Sequence, residues 1–254
     1  MNGRHAGPTG VRRPFLTAAW HHLVMLSWEI DPAALAPRVP VGTALDRWDG
    51  RTLVSVVGFR FLDARVLGVA VPGHRRFDEV NLRFYVRREA AGEARRGVVF
   101  VRELVPRAAV TWLARRAYGE PYRTVQMRSS APAGPSEAPG RLVYEWRTEA
   151  GWQRVAATAE GAPAAPPAGS HEEFVTRHHW GYTRQPDGAT VEYEVEHPPW
   201  RVWRGAAPVL EADVAGLYGV EFVSALAGPP LSALVADGSA VTVYRPRRIP
   251  LAAP

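Results

Sequence analysis

Residues 77–88 read Phe77-Asp78-Glu79-Val80-Asn81-Leu82-Arg83-Phe84-Tyr85-Val86-Arg87-Arg88. Side chains on a strand alternate between two faces, so Val80, Leu82, Phe84 and Val86 share one side. Glu79, Asn81, Arg83, Tyr85 and Arg87 share the other. One face suits an apolar core, and the opposite face carries a row of mixed charge.

Working outward, the stretches 51–62, 97–105, 123–129, 141–148, 152–159, 178–185, 189–197, 201–210 and 240–245 also read as strands. They are rich in Val, Phe, Tyr and Trp, residues that suit a pleated, half-buried surface. Residues 15–28 form a further apolar stretch with adjacent His21 and His22. The Asp-Gly dipeptide, which favours tight hairpins, recurs at Asp49-Gly50, Asp187-Gly188 and Asp237-Gly238. Three such signals between β-prone runs predict a meandering antiparallel sheet.

Helices are few. Asp31 caps and Pro32 opens a short one that Pro37 and Pro40 close. Val110, Leu113, Ala114 and Ala117 give helical spacing over 107–118, and Gly119 with Pro121 stops it. Ser170 with Glu172 and Glu173 predicts a helix over 170–177, and a further one covers about 211–218. The Pro/Ala/Gly-rich passages 130–140 and 161–169 read as loops, too closely flanked by strands to divide domains. One mainly β (α+β) domain over 14–246 is expected, between a disordered arm, 1–13, and a C-terminal tail, 247–254. So many strands in one domain must close or stack to bury their faces, which predicts a barrel or a sandwich.

Composition removes whole chemistries. All 31 basic residues counted as Lys or Arg are arginine, and cysteine is absent. Schiff bases, covalent pyridoxal phosphate, a P-loop lysine and thiol nucleophiles are therefore excluded. The formal charge is +6, but the arginines are scattered in pairs with no dense basic block, so no nucleic-acid partner is expected. No apolar run approaches a bilayer's width and no signal-peptide core follows the first arginines, so the expected location is the cytoplasm with no membrane partner. Ser27, Ser55 and Ser224 lack a nucleophile elbow, and no dinucleotide fingerprint or HExxH spacing occurs. No metal and no cofactor is expected, and homo-oligomerisation stays open.

Several stretches together resemble a known family. They are 77–86, Gly97-Val98-Val99-Phe100, 114–122 (ARRAYGEPY), Trp180-Gly181-Tyr182-Thr183, His197-Pro198-Pro199-Trp200 and Leu217-Tyr218-Gly219. On these the chain is similar to the YqjF-like family, of unknown function, in the acetoacetate decarboxylase-like superfamily. The resemblance covers roughly residues 15–245 and implies a β-barrel-like fold around a central cavity. In the decarboxylases a Gly-aromatic-Pro turn leads into two lysines, the first of which forms the imine. Here the turn is Gly119-Glu120-Pro121, followed by Tyr122 and Arg123. A phenol cannot condense with a ketone and arginine stays protonated, so the imine route is closed.

Glu79 stands where the decarboxylases carry a pocket glutamate. If its strand face lines the cavity, Glu79, Asn81 and Arg83 offer an acid or base, an amide and a fixed cation. A salt-bridged interior pair without turnover fits the same row. Among the clustered His171, His178 and His179, adjacency puts His178 and His179 on opposite faces, so one of them faces the cavity as a proton donor. His197 reads as a strand end stiffened by prolines. The expected catalytic residues are thus Glu79, Tyr122 and His179; the expected ligand-binding residues are Asn81, Arg83, Arg123, Tyr182 and His178.

Three functions follow. The first is a lysine-independent acid–base enzyme of lyase, dehydratase, cyclase or isomerase type, acting on an acidic or carbonyl-bearing metabolite. The second is a non-catalytic binding or sensing protein for an anionic small molecule. An assembly partner with an exposed apolar patch is a third.

Overall fold

Alternation over 77–88 holds in three dimensions, and it organises the molecule. The computed structural model describes residues 13–90, 92–134 and 140–249. The expected arm falls, up to residue 12, outside the described residues, as do part of the 130–140 loop and residues 250–254 of the expected tail.

The described strands are β1 (Pro14–Glu29), β2 (Ala44–Leu45), β3 (Leu53–Val66), β4 (Phe77–Ala90), β5 (Glu93–Val105), β6 (Tyr122–Thr124) and β7 (Gln126–Ser129). They continue as β8 (Arg141–Thr148), β9 (Gly151–Ala164), β10 (Trp180–Arg184), β11 (Thr190–Glu196), β12 (Val202–Glu211), β13 (Ser232–Tyr244) and β14 (Arg247–Ile249). Neighbouring strands run β14-β11-β10-β5-β4-β3-β1-β13-β12-β9-β8-β7. A further pairing of β11 with β13, Val195 opposite Val243, closes a circuit through β1, β3, β4, β5, β10, β11 and β13. The barrel-like, mainly β architecture expected from the sequence is the one observed.

Some expectations need correction. The sheet is mixed, because β5 pairs in parallel with both β10 and β6. The predicted strand 123–129 breaks in two, β6 joining β5 and β7 joining β8. Residues 161–164, read as loop, extend β9. Residues 247–249, read as tail, pair with β11, whose Thr190–Glu192 edge offers free ladder groups. Of the three Asp-Gly signals, two make turns. Asp49 and Gly50 both take positive φ, and Trp48 and Arg51 exchange two backbone hydrogen bonds across them. Gly188 closes the β10–β11 hairpin. Asp237-Gly238 makes no hairpin. It lies inside β13, opposite the His21-His22 bulge of β1, where β13 leaves β12 and bends towards β11.

Helices form where their caps demand. Asp31 accepts from the Ala33 amide ahead of α1 (Pro32–Leu35), and Ser170 accepts from the Glu173 amide ahead of α3 (His171–Thr176). Between them in the chain, α2 (Ala108–Tyr118) ends on left-handed Gly119. The helix expected over 211–218 shrinks to the single turn α4 (Val214–Leu217), and α5 (Val223–Leu226) follows it.

Two cores flank the β1–β3–β4–β5 wall. Val80, Leu82, Phe84 and Val86 pack with Tyr144, Trp146, Val155 and Trp203 of the β8–β9–β12 extension. The other face of the same wall, carrying Phe59 and Phe61, meets Phe174 and Trp200, and it is here that a cavity opens.

Candidate functional site

A cavity of about 200 Å³ lies inside the strand circuit. Its walls are mostly aromatic and aliphatic; Trp20, Phe59, Phe61, Phe100 and Trp200 are among them. Helix α2 covers it with Val110, Leu113 and Ala114, which is the physical use of that helix's apolar stripe.

The carboxyl groups and their immediate partners come from four places. Strand β4 presents Glu79, Asn81 and Arg83 by simple alternation. Strand β5 presents Glu103, directly opposite Asn81. Beyond Gly119 the chain turns so that Glu120 and Tyr122 both face inward, with Tyr122 beside Glu103 in the β5–β6 pairing. Strand β11 adds Tyr193. Glu79, Asn81, Glu103 and Glu120 are each no more than 3% exposed.

Separate hydrogen bonds hold these groups. Asn81 Nδ2 donates to Glu79 Oε1 at 3.0 Å, and the Tyr122 hydroxyl donates to Glu79 Oε2 at 3.0 Å. The Tyr193 hydroxyl donates to Glu120 Oε1 at 2.7 Å. Arg83 Nη2 donates to the Val175 carbonyl at 2.9 Å. Asn81 Oδ1, Glu103 Oε2, Glu120 Oε2 and Arg83 Nε are buried without a protein partner. A buried polar atom in that state costs about 1–3 kcal/mol.

Three carboxyl groups buried in one cavity cannot all ionise at the usual pH. Burial pushes Glu79 up to about 7, against the pull of Asn81, Tyr122 and the Arg83 charge. Burial, helped by the Glu79 charge, brings Glu120 to about 7 against hydrogen bonds from Thr183 and Tyr193. Glu103 is pushed well above the carboxylate range by burial and then by its two acidic neighbours. Burial likewise holds the Tyr122 and Tyr193 phenols well above their ordinary value. The cluster therefore exchanges protons near neutral pH, where a catalytic acid or base is most effective.

Of the residues expected from the sequence, Glu79, Asn81, Arg83, Tyr122 and His178 all line the cavity. His178 is the inward member of its pair; burial lowers it to about 4, so it is a neutral imidazole at pH 7, with Nε2 3.5 Å from Asp46 Oδ2. The other three lie elsewhere. His179, just ahead of β10, faces a separate groove with Arg96, Glu173 and Arg177. Arg123 is exposed, since β6 turns Tyr122 inward and therefore Arg123 outward. Tyr182 is fully buried in the core behind the wall, with Val80, Leu82 and Phe84.

Glu103, Glu120, Tyr193 and His197 join the site without having been expected there. Tyr193 was legible, because Val191, Tyr193 and Val195 alternate on β11. His197 does sit just past the end of β11, as read, but its ring stacks on Trp200 at 4.4 Å in the cavity wall. Among the described residues no three His, Asp or Glu side chains are disposed to hold a metal ion. Among them, too, no helix is long and apolar enough to cross a membrane.

Comparison with known proteins agrees with this fold. The chain belongs to the DUF2071 family, described as "uncharacterized conserved protein", whose pattern matches residues 17–240. It is 25% identical over 203 residues to uncharacterized protein YqjF of Bacillus subtilis (strain 168), covering 79% of this chain and 80% of that protein. The fold is similar to that of the enduracididine biosynthesis enzyme MppR, with a TM-score of 0.64, 17% identity and 97% and 98% of the two chains covered. It is similar also to acetoacetate decarboxylase from Legionella pneumophila, with a TM-score of 0.64, 15% identity and 98% and 92% covered. The chain thus has the acetoacetate decarboxylase-like fold, without a lysine anywhere in its sequence.

Proposed function

We propose that this DUF2071 member binds an acidic or carbonyl-bearing small molecule in its cavity and moves a proton on it without forming an imine. The observation that carries the reading is Glu79: a carboxyl buried in an apolar cavity, poised near pH 7, gripped by Asn81 and Tyr122. In the ionised form Glu79 takes a proton from the carbon next to a carbonyl. The C–H electron pair becomes the enolate double bond, and the charge collects on oxygen. Arg83, the one arginine lining the cavity among the described residues, stabilises that oxyanion or anchors a substrate carboxylate. Tyr122 holds Glu79 in place and returns a hydrogen bond, and neutral His178 offers another. An enolisation of this kind begins a dehydration, a cyclisation, an isomerisation or a lyase reaction, as the superfamily's imine does by a different route.

The test is proton exchange. In D₂O, 2-oxobutanoate and 4-phenyl-2-oxobutanoate are expected to lose their C3 protons faster with the protein than without it, as read by NMR. Glu79→Gln is expected to slow that exchange about 100-fold, the ordinary worth of a positioned base. A base works ionised, so the wild-type rate should rise with pH through about 7 and then level. Exchange at the buffer rate in both proteins would remove the enzymatic reading.

One observation favours the alternative of a passive receptor for an anionic ligand. Both oxygens of Glu79 already accept hydrogen bonds, as a purely structural carboxylate does. Keto acids that bind wild type and the variant alike, with no exchange in either, are the result that reading requires.

A further inference from the structure

The cavity's polar atoms are unevenly supplied. On the row where β4, β5 and β6 lie side by side, Asn81 pairs with Glu103 and Glu103 with Tyr122. Three donors near that row are already engaged: Asn81 Nδ2 and the Tyr122 hydroxyl on Glu79, and the Tyr193 hydroxyl on Glu120. The buried Thr183 hydroxyl beside Glu120 is a fourth donor. With the carboxyl groups ionised, what remains are mostly acceptors. Asn81 Oδ1 and Glu103 Oε2 face the same wall, buried and without a donor, and Glu120 Oε2 is a third open acceptor with the Thr183 hydroxyl beside it. An amide oxygen that is not part of the acidic cluster thus calls for a donor at the same place. A simple keto acid brings none.

Two residues along β4, on the same face, lies Arg83, whose Nε is a buried donor without an acceptor. Two residues of strand span about 7 Å. The cavity therefore has a row of open acceptors and, about 7 Å away, an open cationic donor.

We infer that the ligand carries a protonated nitrogen as well as a carboxylate, the nitrogen received by Asn81, Glu103 and Glu120 and the carboxylate by Arg83. The substrate class is an amino acid-like zwitterion with its charges several ångströms apart on an apolar body. An ammonium offers three donors and a guanidinium five, which matches several convergent acceptors better than a hydroxyl does. The inference rests on the proposed function only in taking this cavity as the ligand site.

The pH behaviour follows from the groups around that nitrogen. A cation holds the carboxylates ionised, so its binding expels protons from Glu79, Glu103 and Glu120 near neutral pH. The other groups facing the cavity's interior keep their charge between about pH 6 and 8. The phenols of Tyr118, Tyr122 and Tyr193 are pushed up, and His178 and His197 are both lowered to about 4. His74 sits half-buried at the rim, its Nδ1 bonded to the Pro72 carbonyl.

A matched trio on one aromatic body tests this with the full chain: 4-(aminomethyl)benzoate, 4-methylbenzoate and 4-methylbenzylamine. By calorimetry at pH 8, the aminomethyl acid is expected to bind at least about 10-fold tighter than 4-methylbenzoate, since one charged hydrogen bond is worth that much. Its binding should release protons, seen as a heat that changes between buffers of different ionisation enthalpy, and should weaken from pH 8 to pH 6. Glu103→Gln should cut the affinity of both amines at least about 10-fold and leave 4-methylbenzoate unchanged. The inference is overturned if 4-methylbenzoate binds as tightly as the zwitterion, if no protons are released, or if none of the three binds. In those cases Glu103 keeps its own proton and donates it to Asn81. None of the trio has an enolisable carbon, so keto-acid exchange stands or falls independently of this outcome.

Discussion

Gly238→Ala is expected to destabilise the protein by more than about 4 kcal/mol, enough to leave little folded chain at 37 °C. Two causes add. Gly238 has φ +79°, a region where a side chain costs about 1–2 kcal/mol. A Cβ there would also fall on the Trp20 carbonyl oxygen, with the carbonyl carbon only 2.7 Å away. Both obstructing atoms are backbone of β1, which is pinned by pairing with β13 and β3, so neither can give way. The control is Gly188→Ala in the β10–β11 turn, where φ is +83° and nothing lies within 4 Å of the added carbon. That variant should show the backbone strain alone, about 1–2 kcal/mol. Urea melts of the two variants separate the terms, and equal losses would mean that the kink at 238 is free to move. The kink is what bends β13 from β12 towards β11, so its failure opens the strand circuit that encloses the cavity.

Position 238 also shows where local sequence signals stop. Asp-Gly predicts a left-handed residue correctly, but a hairpin and a kinked strand need the same backbone conformation. Only the partners, β1 and β11, distinguish them, and those contacts are distant in sequence. Over 77–88 the opposite holds. Period-two alternation alone put Glu79, Asn81 and Arg83 on one face, and the structure brings all three to the cavity. Glu103 escaped the same logic because β5 is irregular. Between Leu82 opposite Arg102 and Arg83 opposite Phe100 the register slips by one residue, with Val101 as the extra. Strict alternation from Val99 and Val101 would send Glu103 to the outer core; the bulge returns it to the cavity.

Parity explains most of the site residues that missed. The resemblance to the decarboxylases matched Tyr122 and Arg123 to neighbouring lysines, yet two successive strand residues cannot both point inward. The same rule turns Tyr182 away behind Gly181, which lines the cavity itself, whereas His178 and His179 precede β10 and lie outside its alternation. Glu120 lies in the turn between α2 and β6, where no periodicity exists to be read. The arginines are as scattered in space as in sequence. Arg88, Arg95 and Arg247 converge on the buried Glu192 instead of the cavity, and Arg60 clasps Asp78 beside the 129–132 segment.

The substitution that ends proton exchange is expected to stabilise the fold. Glu79 binds its proton more tightly in the folded chain, at about 7, than in the unfolded one, near 4.5. A group raised in this way contributes its full stability below the unfolded value and loses it as pH rises through the folded one. The gap corresponds to about 3 kcal/mol, withheld from the wild type at pH 8 and restored at pH 4 to 5. A glutamine side chain has no such proton to lose. Its oxygen can accept from Asn81 Nδ2, and its amide can donate to the Tyr122 hydroxyl, which is free to rotate and to donate to Glu103 instead. Glu79→Gln should therefore exceed wild type by about 3 kcal/mol in urea melts at pH 8 and match it near pH 4.5. A variant equal to wild type at both pH values, or weaker at pH 8, would show that Glu79 is a structural carboxylate held by its hydrogen bonds. The expected result excludes that role: a carboxyl that weakens the fold at working pH, and whose neutral isostere fits the same partners, is kept for its proton.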